Sequence, residues 1–138
     1  MADTIEIPEK FRDLVSFEKR AFAALGTVMP DGRPQVTPVW FDYDGKNLIF
    51  NSARGRQKDL NVRRDPRVTL TVLDPENPYR YLEVRGRVTD ITQEGARDMI
   101  NRLAKKYMGA DKYPGPPDEV RVTYTIKPEK VHGIQPPR

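Results

Sequence analysis

The sequence predicts a mainly β single domain with flanking helices, a small barrel of six short strands. Two observations carry that expectation. Apolar and polar residues alternate in short runs separated by Asp-Gly and proline turns, and 138 residues suffice for one core but not two. Closure into a barrel is expected because it removes the edges that many short strands would otherwise expose.

Residues 8–18 open behind Pro8, which suits a first helical turn, and set Phe11, Leu14, Val15 and Glu18 at helical spacing. Strands are expected over 21–29 and 34–42, joined by the hairpin dipeptide Asp31-Gly32. A second turn, Asp44-Gly45, leads into a strand over 47–52, so these three strands should form a meander. Residues 55–64 are helical in composition and stop at Asp65-Pro66, because proline pushes its predecessor out of the α region.

Strands follow over 67–73 and 79–91, separated by Asp74-Pro75-Glu76-Asn77-Pro78. In the second of these, Leu82, Val84 and Val88 face one way and Glu83, Arg85 and Arg87 the other. Gly86, among the inward residues, marks a bulge or a close backbone approach. Thr92 is the expected N-cap of a helix with an apolar stripe at Ala96, Met99, Ile100, Leu103 and Tyr107, ended by Gly109. A proline-rich loop over 110–119 precedes a last strand at 120–126.

Composition narrows the chemistry. The absence of cysteine removes disulfides and thiol nucleophiles, and a single histidine, His132, allows no histidine metal cluster. Redox activity would therefore need a bound cofactor. The longest apolar run, 21–29, is about half a membrane span, and the N-terminus reads MADTIEIPEK, unlike a secretory signal. A cytoplasmic protein without a membrane partner is expected. The net charge of +4 suits an acidic ligand better than nucleic acid. With 37% hydrophobic and 32% charged residues the domain is polar for its size, which favours completing the core by dimerisation.

The segment richest in chemistry is 51–67, NSARGRQKDLNVRRDPR. Arg54, Arg56 and Lys58 gather at a helix start, where the dipole already places positive charge. A docked phosphate would resolve the conflict, since backbone N–H groups, an arginine fork and a lysine would converge on it. The simpler reading is a solvated basic helix balanced by Asp59 and Asp65. Pro38, inside a β run, marks an edge, a bulge or an approach by a ligand, with Trp40 two residues on. Trp40 and Phe41 are either core aromatics or part of a surface for a flat heterocycle. Tyr79 and Tyr81 read as a cross-strand pair or as a stacking platform flanked by Arg80, and His132 as a surface hydrogen-bonding group.

Three segments together, LGTVMPDGRPQVTPVWFDYDG, NLIFNSARGRQKDLNVRRDPR and YRYLEVRGRVTDI, resemble the pyridoxamine-phosphate-oxidase-like split barrels, in the branch that uses the deazaflavin coenzyme F420. The resemblance spans roughly residues 8–134 and is most specific in the R-x-K pattern before NVRRDPR. It implies a six-stranded split β-barrel paired into a homodimer, with cofactor sites at the interface. Arg56 and Lys58 would hold the cofactor phosphate, with Asn51, Ser52 and Gln57 beside them. Thr37, Pro38, Val39 and Trp40 would line the ring, and Tyr79, Arg80 and His132 would reach it from the partner subunit. The implied activity is hydride transfer from reduced F420 to an electron-poor small molecule such as an enone, quinone or bilin, with no protein acid or base. FMN shares the phosphate-bearing arm, so an FMN-dependent reductase or oxidase stays open, as does a non-catalytic carrier of flavin, haem or bilin. The second phosphate site of the longer pyridoxamine-phosphate oxidases is not found.

Overall fold

The computed structural model describes residues 5–137. Its strands are β1 (Ala23–Val28), β2 (Pro34–Val39), β3 (Phe41–Tyr43), β4 (Leu48–Ala53), β5 (Arg67–Asp74), β6 (Asn77–Thr92) and β7 (Arg121–Ile134). A 3₁₀ helix (Glu9–Val15), α1 (Gln57–Arg64) and α2 (Ala96–Met108) complete it. All strand pairs are antiparallel, in one seven-stranded sheet ordered β2-β1-β5-β6-β7-β4-β3.

The two edge strands of this sheet, β2 and β3, are separated in the chain by Trp40 alone. A two-residue step spans at most about 7 Å, so opposite ends of the sheet must meet there. The sheet has to curl. Its inner face holds Leu25, Val39, Phe41, Phe50, Leu70, Leu82, Val84 and Tyr124, all buried, with Phe50 and Tyr124 stacked at 4.3 Å. Phe11, Leu14 and Val15 of the 3₁₀ helix pack into the same core.

The curl corrects the expected meander. Both hairpins exist, with β1 paired to β2 and β3 to β4, but they lie at opposite edges of the sheet. The run 34–42 breaks at Trp40, so the strands number seven and not six. Pro38, which has no N–H, sits on edge strand β2 opposite Ala24, where its second side needs no donor.

Other boundaries also shift. The first helix is a 3₁₀ helix ending at Val15, without Glu18. Thr92 does not cap α2: Gly95 is the N-cap, in a left-handed conformation, and the Thr92 hydroxyl accepts the Glu94 N–H in the preceding turn. Gly109 ends α2 as expected. The last strand runs eight residues past Ile126, to Ile134; Pro128 stands opposite Gly86 at a register shift, the kind of irregularity where a proline is tolerated within a strand.

Gly86 is a close approach as well as an irregularity. A Cβ there would lie 2.3 Å from the Lys127 carbonyl oxygen and 3.1 Å from Ile126 Cγ2. Backbone of β7 cannot move aside without breaking its pairing with β6. Gly86→Ala should therefore cost about 1–3 kcal/mol of stability. Urea unfolding measures this, and an unchanged midpoint would show that the two strands are less closely apposed in solution.

Candidate functional site

Where the sheet ends meet, the chain leaves β4, turns at Gly55 (φ 92°) and enters α1. Gly55 supplies the left-handed conformation that lets α1 begin at once. Its N–H is held by Asp59 Oδ2 at 2.9 Å. Asp59 is buried, and Oδ1 accepts from the Tyr124 hydroxyl at 2.5 Å and from Arg63 Nε at 2.9 Å. Burial raises the Asp59 pKa, but the bonds from Gly55, Tyr124 and Arg63 outweigh it and hold the carboxyl below its ordinary value. An ionised carboxylate thus braces the turn from beneath. Among the described residues no carbonyl answers the N–H groups of Gln57 and Lys58 at the helix start.

A cleft of about 180 Å³ lies against this turn, lined by Pro38, Val39, Trp40, Asn51, Ser52, Arg56, Lys58, Ile100, Tyr113 and Arg121. Its charges do not balance. Glu119 pairs with Arg56 at 3.3 Å and with Arg121 at 2.9 Å. Among the described residues no carboxylate pairs with Lys58. Burial, and then the Arg56 and Arg121 charges, push the Lys58 pKa below its ordinary 10.5. The cleft therefore disfavours its own lysine's charge in the absence of an anion.

Ser52 adds an independent sign. Its Oγ is the one buried side-chain polar atom without a hydrogen-bond partner among the described residues. An unmatched buried hydroxyl costs roughly 1–3 kcal/mol. Neighbouring groups are fully matched: Asn51 donates to the Ala96 carbonyl at 2.9 Å and to Thr123 at 3.1 Å, and accepts from Arg121 Nε at 2.9 Å. Asn51 thereby aims Arg121. An unmatched hydroxyl, unmatched helix N–H groups and an excess of cations fit a phosphoryl group. The donor set contains no cluster suited to a metal ion among the described residues.

At the other end of the cleft, Trp40 is half-buried between two tyrosines, stacked on Tyr107 at 5.4 Å and edge-on to Tyr113 at 6.2 Å. Pro38 and Val39 complete an apolar wall suited to a flat ring.

The remaining expected site residues lie elsewhere. Thr37 pairs with Leu25 along β2, and Gln57 donates to Asn61 at 2.8 Å; neither lines the cleft. Arg80 is engaged inside its own subunit: it meets Asp13 at 2.7 Å, Asp74 at 3.0 Å and the Lys10 carbonyl at 2.7 Å. Those contacts tie the 3₁₀ helix to β6. Tyr79, 78% exposed, and His132, also exposed on β7 opposite Glu83, do not reach the cleft of their own chain. Conversely, Ile100, Tyr113 and Arg121 were not expected there. The strand register Ala53↔Arg121 brings Arg121 in, and no local sequence pattern reveals a pairing between strands so far apart in the chain.

A larger groove of about 610 Å³ runs over β1, β2, β5 and β6. Its arginines are already paired, Arg67 with Asp65 at 2.7 Å and Arg85 with Glu83 at 2.9 Å. It is roomier, but among the described residues it holds no buried side-chain polar atom left without a partner. The unmatched buried hydroxyl and the unpaired lysine make the smaller cleft the candidate site.

A model of the pyridoxamine 5'-phosphate oxidase family matches residues 7–135. The F420H(2)-dependent biliverdin reductase of Mycobacterium tuberculosis (strain CDC 1551 / Oshkosh) is 30% identical over 125 residues, 87% of this chain and 84% of that protein. A solved F420 reductase superposes with a TM-score of 0.81 at 38% identity, covering 91% of this chain and 98% of that one. Group A Streptococcus HupZ, at 22% identity and a TM-score of 0.68 over 94% of each chain, shares the fold alone.

The unmatched hydroxyl makes a simple prediction. Ser52→Ala should leave the stability of the ligand-free protein unchanged or raise it by up to about 3 kcal/mol. Denaturant unfolding reads this directly. A loss well beyond 1 kcal/mol would mean that the hydroxyl serves the fold.

Proposed function

The chain belongs to the pyridoxamine 5'-phosphate oxidase family, and from that premise we propose that it is an oxidoreductase that uses reduced coenzyme F420 to reduce an electron-poor small molecule. Two relatives named for F420 support the coenzyme. The observation that carries the reading is the excess of positive charge around the unmatched Ser52 hydroxyl. Lys58 and Arg56 would hold the coenzyme's phosphoryl group, Arg121 would be aimed at it by Asn51, and Ser52 would donate its hydroxyl. Each charge-assisted contact contributes roughly 1.5–3 kcal/mol.

The coenzyme supplies the redox chemistry, a hydride that carries two electrons to a conjugated acceptor of enone, quinone or bilin type. The residues of the chain supply position. Trp40, braced between its tyrosines, gives the ring end of the cleft a fixed apolar wall that excludes water from one side. Among the described residues no carboxylic acid or histidine of the same chain lines the cleft; the single proton that completes the reduction after the hydride comes from solvent, and the protein acts by orientation and field.

A second copy of the chain belongs to this reading. Ligand sites of this kind hold about 300–1,000 Å³, and a cleft of about 180 Å³ makes only one wall of such a site. Tyr79 and His132, exposed and away from their own cleft, are free to serve the partner's. FMN carries the same kind of phosphorylated arm and is the competing coenzyme within the family.

Titration of the purified protein with F420 and with FMN, followed by ring fluorescence, tests the proposal. F420 should bind the more tightly, and Arg56→Ala with Lys58→Ala should weaken it at least about a hundredfold. Binding of neither coenzyme would overturn the enzymatic reading, and preference for FMN would replace the cofactor. Affinity should also fall with rising pH as Lys58 loses its proton, at a pH below the ordinary lysine value of 10.5. Lys58→Arg should remove that fall.

A further inference from the structure

Two side chains of α2 reach the break between β2 and β3. Lys106, with no exposed surface, donates from Nζ to the Phe41 carbonyl at 2.8 Å. The Tyr107 hydroxyl accepts the Phe41 N–H at 3.3 Å and donates to the Ala21 carbonyl at 2.7 Å. Both main-chain groups of Phe41 are therefore taken by α2, although Phe41 stands opposite Phe50 in the sheet. Next to it, Trp40 has no strand partner. Its indole lies stacked on the Tyr107 ring at 5.4 Å with an interplanar angle of 11°, and edge-on to Tyr113 at 6.2 Å.

A lysine so deeply buried is costly unless its charge is answered. Here the Phe41 carbonyl and the faces of Phe41 and Tyr107, at 4.5 and 4.9 Å, surround it. Burial pushes its pKa down to about 8, against which Asp42 pulls upward. Asp42 itself is bonded to Arg102 of the same helix at 2.7 Å. A methionine would fill the space without that cost, yet would leave the Phe41 carbonyl only the long contact from the Tyr107 hydroxyl at 3.4 Å.

We propose that Lys106 and Tyr107 are positioning residues that fix Trp40 by taking both main-chain polar groups of Phe41 from helix α2. The pair acts on the ring end of the cleft and leaves the phosphoryl end, built on β4, α1 and β7, untouched. Its consequence for coenzyme binding rests on the F420 reading; its consequence for Trp40 does not.

Trp40 is the only tryptophan in the chain, so its near-ultraviolet circular dichroism band and its fluorescence report the packing of this one indole against Tyr107 and Tyr113. Tyr107→Phe keeps the ring but removes the hydroxyl, and Lys106→Met removes the ammonium. In the ligand-free protein each variant should weaken the Trp40 dichroism band and lower its fluorescence anisotropy while far-ultraviolet dichroism stays unchanged. With coenzyme, Tyr107→Phe should raise the F420 Kd about tenfold and leave the Kd for inorganic phosphate unaltered. Wild-type Trp40 spectra in both variants would overturn the proposal, as would equal losses of phosphate and F420 binding, which mean general loosening. If wild type binds no coenzyme while the Trp40 spectra change as stated, the clamp stands and the F420 reading falls.

Discussion

One residue separates the two edges of the sheet, and that covalent constraint organises the molecule. β2 and β3 cannot lie side by side along a flat sheet, because five other strands stand between them in the hydrogen-bonded order. They must be brought together by curling, with Trp40 at the seam. The same curl sets the end of β4 and the start of α1 beside Trp40, and the cleft forms between the seam and the helix mouth. Fold and site are consequences of the same closure.

The helix mouth carries an electrostatic imbalance that the fold sustains from below. Asp59 is anchored by Tyr124 and Arg63 and holds the Gly55 N–H, so the turn keeps its shape while Arg56, Lys58 and Arg121 crowd above it. Glu119 offsets part of that charge, shared between two arginines. Lys58 is left to burial and repulsion. Such local instability, next to an unmatched hydroxyl, is common where a protein is shaped for a ligand and not for its own stability. The bland alternative, a solvated basic helix, leaves the buried Ser52 unexplained.

Much of this was legible in the sequence, for identifiable reasons. Arg56 and Lys58 stood out because cations at a helix start contradict the dipole, and Gly86 because it interrupts a clean alternation. Pro38, through its missing N–H, marked an edge, a bulge or a ligand's approach, and the edge is what the sheet shows. What was not legible depends on contacts between distant segments. Nothing local says that β4 pairs with β7 and not with β2, so the meander expectation failed and Arg121 was missed. Pro128 and the charged pair after it hid the second half of β7. Lys106 reads as a residue favouring a helix C-terminus, and only the packing of α2 against the seam reveals it as buried. Arg80 illustrates the reverse: a cation beside two tyrosines suggests a ligand contact, whereas Asp13 and Asp74 occupy it within its own chain.

The most direct measurement is a crystal structure of the protein with its coenzyme bound. The account predicts the phosphorus atom within reach of Lys58 Nζ and the Ser52 hydroxyl, at the start of α1, with the ring against Trp40. A phosphoryl group seated instead in the wider groove beside Arg67 and Arg85, with Ser52 still unmatched, would contradict it.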